Sequence, residues 1–194
     1  MKKLCGLALI LVLALSFNVS AFAKGDATQA QPLTKEEIVN SNEFLAAVEA
    51  AKASFESQKA DESKEAKNDD GPIVQAPAPP VSHINVYAVA SPYGGQEIYG
   101  FNSNPFSTNN DHRGDWIQCI TFQIGYDNSH YGKLGGSLMT NNWTEALDLN
   151  GDSIIDAWAR SWINEGTSEG GQFVGTVRSA NSPWNTAEAW INVR

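Results

Sequence analysis

The chain has 194 residues and carries 22 acidic against 13 basic side chains, a formal charge of −9 at pH 7. That excess repels phosphate backbones and anionic lipid surfaces, so nucleic acid and membranes are not expected partners. With only two cysteines, Cys5 and Cys119, the chain is not a disulfide-stapled scaffold, and its stability must come from a core, a metal or an intermolecular bridge.

Lys2 and Lys3 precede an apolar run from Leu4 to Val19, and Ala21-Phe22-Ala23 offers small residues where a signal peptidase reads. Residues 1–23 therefore read as a cleaved leader, and the mature protein as secreted, extracellular or periplasmic. The apolar run is shorter than the roughly 20 residues a spanning helix needs, so no stable membrane insertion is expected after cleavage. Removal of the leader takes Lys2, Lys3 and Cys5 with it, leaving 11 basic residues and Cys119 alone.

Residues 24–70 are rich in Ala, Lys, Glu, Asp and Ser and contain no Trp or Tyr. Thr34 and Glu37 have capping-box spacing, and Ile38, Leu45, Val48 and Phe55 recur near the helical period, which predicts a helix over 35–57. The charged stretch 59–70 has no apolar face and is expected to fray into solvent. Residues 71–81, with Pro72, Pro77, Pro79 and Pro80, read as a stiff extended linker. The whole region reads foremost as a solvated spacer, with a propeptide or docking arm as the alternative.

Residues 82–194 have the size of one domain and hold all six tryptophans. Apolar residues alternate with polar ones between Gly-, Asn- and Pro-containing turns, the pattern of short strands. The predicted strands are 83–90, 96–101, 116–126, 134–140, 154–163, 171–179 and 186–193. They make an all-β antiparallel sandwich, with Trp116, Trp158 and Trp190 assigned to its core.

Asp148-Leu149-Asn150-Gly151-Asp152-Ser153-Ile154-Ile155-Asp156 places oxygen-bearing side chains at alternate positions of one loop. Hard cations take six to eight oxygens at about 2.3–2.6 Å, and the D-x-N-x-D order supplies them. Asp148, Asn150, Asp152, Asp156 and the carbonyl of Ile154 are the expected calcium ligands, supplemented by Glu145, Glu165 or water. Ser153 stands where an EF-hand has glycine, and Ala159 where it has its bidentate glutamate, so the loop is not an EF-hand. An Asx-rich turn without metal is the simpler alternative.

Ser91-Pro92-Tyr93-Gly94-Gly95, Asn110-Asp111-His112-Arg113-Gly114, Ile124-Gly125-Tyr126, the Asp148–Trp158 stretch, Ser182-Pro183-Trp184-Asn185-Thr186 and the closing Ile191-Asn192-Val193-Arg194 follow one another in the domain. Taken together they resemble the YolA-like family of small secreted bacterial proteins. The resemblance spans 82–194 and implies secretion and a single β-rich domain, with no activity attached to a particular residue.

The function expected is an extracellular binding module for glycan or protein, monomeric, with Tyr93 and Trp143 in turn-like sequence as ligand-binding candidates. A secreted hydrolase is the alternative, using Cys119 and His112 with Asp111 or Asp115, or a carboxylate pair drawn from Glu97, Asp115, Asp127, Glu145 and Glu169. Cys119 lies in an apolar alternating run, where a buried inert thiol is the usual outcome. A third reading is a secreted toxin whose N-terminal region is a pro-segment. His83, His112 and His130 lack the short spacing of a zinc site.

Overall fold

The computed structural model describes residues 31–65 and 78–194. The leader over 1–23 and most of the Pro-rich stretch lie outside the described residues.

Two sheets face each other, and every named strand pair is antiparallel. Among the described residues the strands are β1 (His83–Ser91), β2 (Gly95–Ile98), β3 (Gly114–Ile124), β4 (Asp127–Leu134), β5 (Ser137–Leu138), β6 (Thr140–Leu147), β7 (Ala157–Ser168), β8 (Gly171–Ser179) and β9 (Thr186–Val193). The larger sheet runs β2-β1-β3-β7-β6 and the smaller β5-β4-β8-β9. The all-β sandwich expected from period-two alternation is the architecture found.

Two strands escaped the sequence pattern. Strand β4 reads DNSHYGKL and β6 reads TNNWTEAL, and both bury few residues. The expected strand over 154–163 begins only at Ala157, because the acidic loop occupies the residues before it.

Between the sheets, Val86, Val89, Ile117, Cys119 and Trp162 of the larger sheet meet Leu134, Phe173, Val177 and Ile191 of the smaller one. An ion pair lies within this interior: Nη2 of Arg160 on β7 lies 2.8 Å from Oδ1 of Asp127 on β4. Gln123 Nε2 also donates to that oxygen at 2.8 Å, and Gln123 Oε1 accepts from Arg160. The other oxygen of Asp127 meets His130 Nδ1 at 2.7 Å.

The N-terminal segment is a third layer, and here the solvated-spacer expectation is corrected. Helix α1 (Lys35–Val39) and helix α2 (Asn42–Glu65) lie across the outer face of the larger sheet. The capping box of Thr34 and Glu37 is formed. The single expected helix is interrupted at Asn40 and Ser41, where Ser41 Oγ accepts from the Phe44 amide at 3.1 Å and starts the second helix. Ile38, Phe44, Ala47, Ala51 and Phe55 are buried against Tyr87, Ile120, Phe122, Ile124 and Ala159. The face is therefore set by Phe44 and small alanines, while Leu45 points outward and is 53% exposed. Helix α2 continues through the charged sequence to Glu65 instead of ending at 57, in keeping with the helix propensity of Ala, Lys, Glu and Gln.

Polar contacts pin the arm as well. The Gln118 side chain accepts from the Leu33 amide at 2.8 Å and donates to the Leu33 carbonyl at 2.9 Å. Lys35 pairs with Glu145 at 2.9 Å. With helices on one side and the smaller sheet on the other, β1 and β3 are buried almost without interruption.

Candidate functional site

Three groups of side chains outside the apolar core could carry function. They are the acidic loop between β6 and β7, a polar knot around His112, and an aromatic groove beside β9.

In the loop, one carboxylate oxygen from each of Asp148, Asp152 and Asp156 lies within 4.8 Å of the others. The loop holds itself in shape with its own side chains. Asp148 accepts from the amides of Asn150 (3.2 Å), Gly151 (2.7 Å) and Ser153 (2.8 Å), Asn150 Oδ1 from Asp152 N (2.9 Å), and Asp152 Oδ1 from Ile154 N (2.9 Å). Desolvation alone would raise the Asp148 carboxyl, but these amides, Ser153 foremost, hold it below the usual range. Ser153 adopts φ 68°, so the position where an EF-hand spends a glycine is met here by a serine in the left-handed region. Asp156 is buried, its Oδ2 accepting from Leu149 N at 3.1 Å, and its carbonyl accepts from Gly125 N at 2.7 Å. The loop thus brings three carboxylates together, a donor set that suits a hard cation. Glu145, considered as a further ligand, pairs instead with Lys35, and Glu165 sits in β7 opposite Trp116.

His112, in the loop before β3, is fully buried. Its Nε2 lies 3.0 Å from Glu97 Oε1 and its Nδ1 3.1 Å from Ser91 Oγ. An ionised carboxylate only accepts, so Nε2 carries a proton toward Glu97, while Nδ1 shares a hydrogen bond with the serine hydroxyl. Ser91 Oγ itself accepts from the Gly94 amide at 2.9 Å. Glu97 also accepts from the amides of Asn110 (2.6 Å) and Asn109 (2.9 Å), from Asn109 Nδ2 (3.0 Å) and from the Tyr99 hydroxyl (3.1 Å). Burial would raise the Glu97 carboxyl, but the Asn109 and Asn110 amides, with His112 and Tyr99, hold it below the ordinary range. The backbone amide of His112 donates to the Arg194 carbonyl, and the Arg194 side chain donates to the carbonyls of Thr108 and Asn109.

This arrangement leaves no place for the cysteine–histidine pair of the hydrolase alternative. Cys119 is sealed between the sheets opposite Val89, and burial pushes its thiol far up, away from the thiolate a nucleophile needs. Asp111 pairs with Arg113 at 3.3 Å and Asp115 is exposed, so neither orients the imidazole. Glu97 and Asp127, two of the carboxylates considered for a glycosidase, are buried and saturated with donors. The polar knot locks the 108–112 segment and the chain end onto the β1–β2 hairpin.

The two ring candidates do not meet. Tyr93, 70% exposed, stands in the turn between β1 and β2 with the Arg113 guanidinium 5.5 Å from its ring centroid. Trp143 lies in β6, at the opposite edge of the same sheet, half-buried under the arm, with Nε1 donating to the Leu33 carbonyl at 3.3 Å. Its sequence is strand, not turn, and the arm covers it.

The exposed aromatic pair is elsewhere. Phe106 (71% exposed) and Trp190 (44%) meet edge to face with centroids 5.5 Å apart. They border a groove of about 300 Å³ floored by Ile84 and Ala189 and flanked by Asn104, Pro105 and Glu188. Trp190 was assigned to the core and is corrected here: Ala187, Ala189, Ile191 and Val193 take the inward phase of β9, leaving Glu188 and Trp190 outward. Trp116 and Trp158 are half-buried, whereas Trp162 is the tryptophan enclosed in the core. The inward phase of β9 was readable from sequence, whereas Phe106 sits alone in a Asn-, Ser- and Pro-rich stretch with no pattern to mark it.

A helix-covered, two-sheet antiparallel sandwich with an acidic loop and an aromatic groove defines the class of domain. Residues 76–193 match the family described as a domain of unknown function, DUF4879, and the chain belongs to that family. The match omits α1 and α2, and its description does not mention the YolA-like proteins. No curated protein and no solved structure matches the chain. Among the described residues, no helix is long and apolar enough to cross a membrane.

Proposed function

We propose that the chain is an exported, monomeric extracellular binding module for glycan or protein, whose ligand is seated on the Phe106–Trp190 groove and whose 148–156 loop holds a calcium ion. The observation that carries this reading is the exposed aromatic pair over a concave surface with polar flanks. Ring faces offer apolar area at low entropic cost, and Asn104 and Glu188 offer hydrogen bonds beside them, the combination that ligand sites use. The buried Cys119 and the saturated His112 favour binding over hydrolysis. The leader-like residues 1–23 support export.

The test is binding of the secreted full chain to a glycan array and to a displayed library of linear peptides. Trp190→Ala and Phe106→Ala should each abolish the binding seen with the native chain. Both side chains are largely outside the core, so the thermal midpoint should change little. Binding that survives loss of both rings would remove the groove as the seat.

A further inference from the structure

Resting on that reading, we propose that the groove takes an extended, basic peptide segment that adds as a strand to the free edge of β9. The backbone geometry carries the inference. Asn192 N donates to the Phe106 carbonyl at 3.0 Å and the Asn192 carbonyl accepts from Thr108 N at 2.9 Å, so the backbone groups of Asn192 point away from β8. Strand β9 pairs with β8 without a register shift from Thr186 to Val193. In an antiparallel ladder every second residue directs both its N–H and C=O to the same edge, so Glu188 and Trp190 also present theirs outward.

The parallel bridge of Ser107 with Asn192 closes only the end of that edge. Continuing it would join Trp190 to Asn104 and Phe106. No such backbone bond forms among the described residues, and the chain stands off at Pro105, opening the groove. The gap therefore has unpaired β9 backbone on one wall, the diverging 104–106 segment on the other, and apolar Ile84 and Ala189 beneath. An extended backbone entering it gains main-chain hydrogen bonds, and alternate side chains reach the rings of Trp190 and Phe106.

Charge selects the occupant. Glu188 is the charged residue of the groove; it accepts from Thr176 Oγ1 at 3.2 Å and has no cationic partner among the described residues. A second copy would bring its own Glu188 and its excess of acidic over basic residues to the same edge, whereas a Lys- or Arg-bearing segment is complementary.

The experiment pans the full chain against a displayed library of random linear peptides and measures the enriched sequences by titration, beside the glycan array. The native chain should enrich peptides with an apolar residue and Lys or Arg at alternate positions. Glu188→Pro removes an outward N–H without touching the β8 ladder, so it should fold and weaken peptide binding at least tenfold. Glu188→Gln should weaken only the basic peptides. N-methylation of the enriched peptide at alternate amides should abolish its binding, which keeps the proposal testable should the proline variant misfold. Glycan binding that needs Trp190 but tolerates Glu188→Pro would overturn strand addition and leave the binding-module reading standing. Self-association in sedimentation that Glu188→Pro abolishes would also overturn it, in favour of edge pairing between copies. Absence of any binding that depends on Trp190 or Phe106 would overturn both.

Discussion

Nε2 of His112 lies 3.0 Å from Oε1 of Glu97, and this contact ties the loop before β3 to the hairpin that starts the domain. Glu97 is 8% exposed and takes five donors. Glu97→Gln turns an acceptor-only group into one that must point an NH₂ at donors. It should destabilise the domain by about 2–3 kcal/mol, read by denaturant titration. Because the folded carboxyl is held below its ordinary value of 4.5, its contribution is complete above that pH and is lost as pH falls through the folded value. An acid titration of stability should therefore steepen below pH 4.5 in the native chain and flatten in Glu97→Gln.

The docking of the arm makes a separate prediction. Phe44 is 2% exposed and meets Tyr87 edge to face at 5.6 Å. Phe44→Ala should cost about 3–5 kcal/mol in denaturant if arm and sheet unfold together. If the arm comes off first, the variant should instead show arm release, seen as increased binding of an apolar dye to the uncovered sheet. Burial pushes the Tyr87 hydroxyl up to about 12 from 10.0. Stability from this group is full below pH 10 and falls as pH rises toward 12, so alkaline titration should weaken the docking of the arm on Tyr87.

Sequence alone could not show that this arm docks. Periodicity shows that a segment has an apolar face, and Ile38 and Phe55 lie on the face found. It does not show what the face meets, and a sheet buried on both sides looks in sequence like a sheet buried on one, except for runs such as Val86–Ala90, buried at every position. The same limit hid the His112 knot, because Ser91, Glu97 and His112 come together only through the hairpin. The acidic cluster was legible for the opposite reason: Asp148, Asp152 and Asp156 lie within nine consecutive residues, and local spacing alone brings them together. Strands β4 and β6 were missed because their outward residues are polar enough to read as loop.

Asp127 and Arg160 are buried at 1% and 3% side-chain exposure, so the pair should be costly to break and cheap to replace. Asp127→Asn leaves the guanidinium without its counter-charge between the sheets and should cost about 3–5 kcal/mol. Replacing both residues, together with Gln123, by apolar residues of similar volume should recover most of that loss. A double-mutant cycle on Asp127 and Arg160, measured by urea unfolding, should return a coupling well above the surface-pair range of about 0–1 kcal/mol.

The acidic loop gives the last prediction. If a cation binds the folded loop and not the unfolded chain, stability rises with the logarithm of free calcium, by about 2.7 kcal/mol at one hundred times the dissociation constant. Asp152→Ala removes one of three converging carboxylates and should abolish the rise, while in chelator it should cost little, since Asp152 is exposed and its carboxylate accepts from the Ile154 amide at the surface. Asp156→Ala should differ. Its buried carboxylate accepts from the Leu149 amide, so this change should destabilise the domain by about 1–3 kcal/mol even in chelator. Thermal unfolding of the native chain and both variants, each with calcium and with chelator, separates the two effects. A native midpoint that ignores calcium would make the loop a turn held by its own Asx hydrogen bonds, with Asp156 as its anchor to the sandwich.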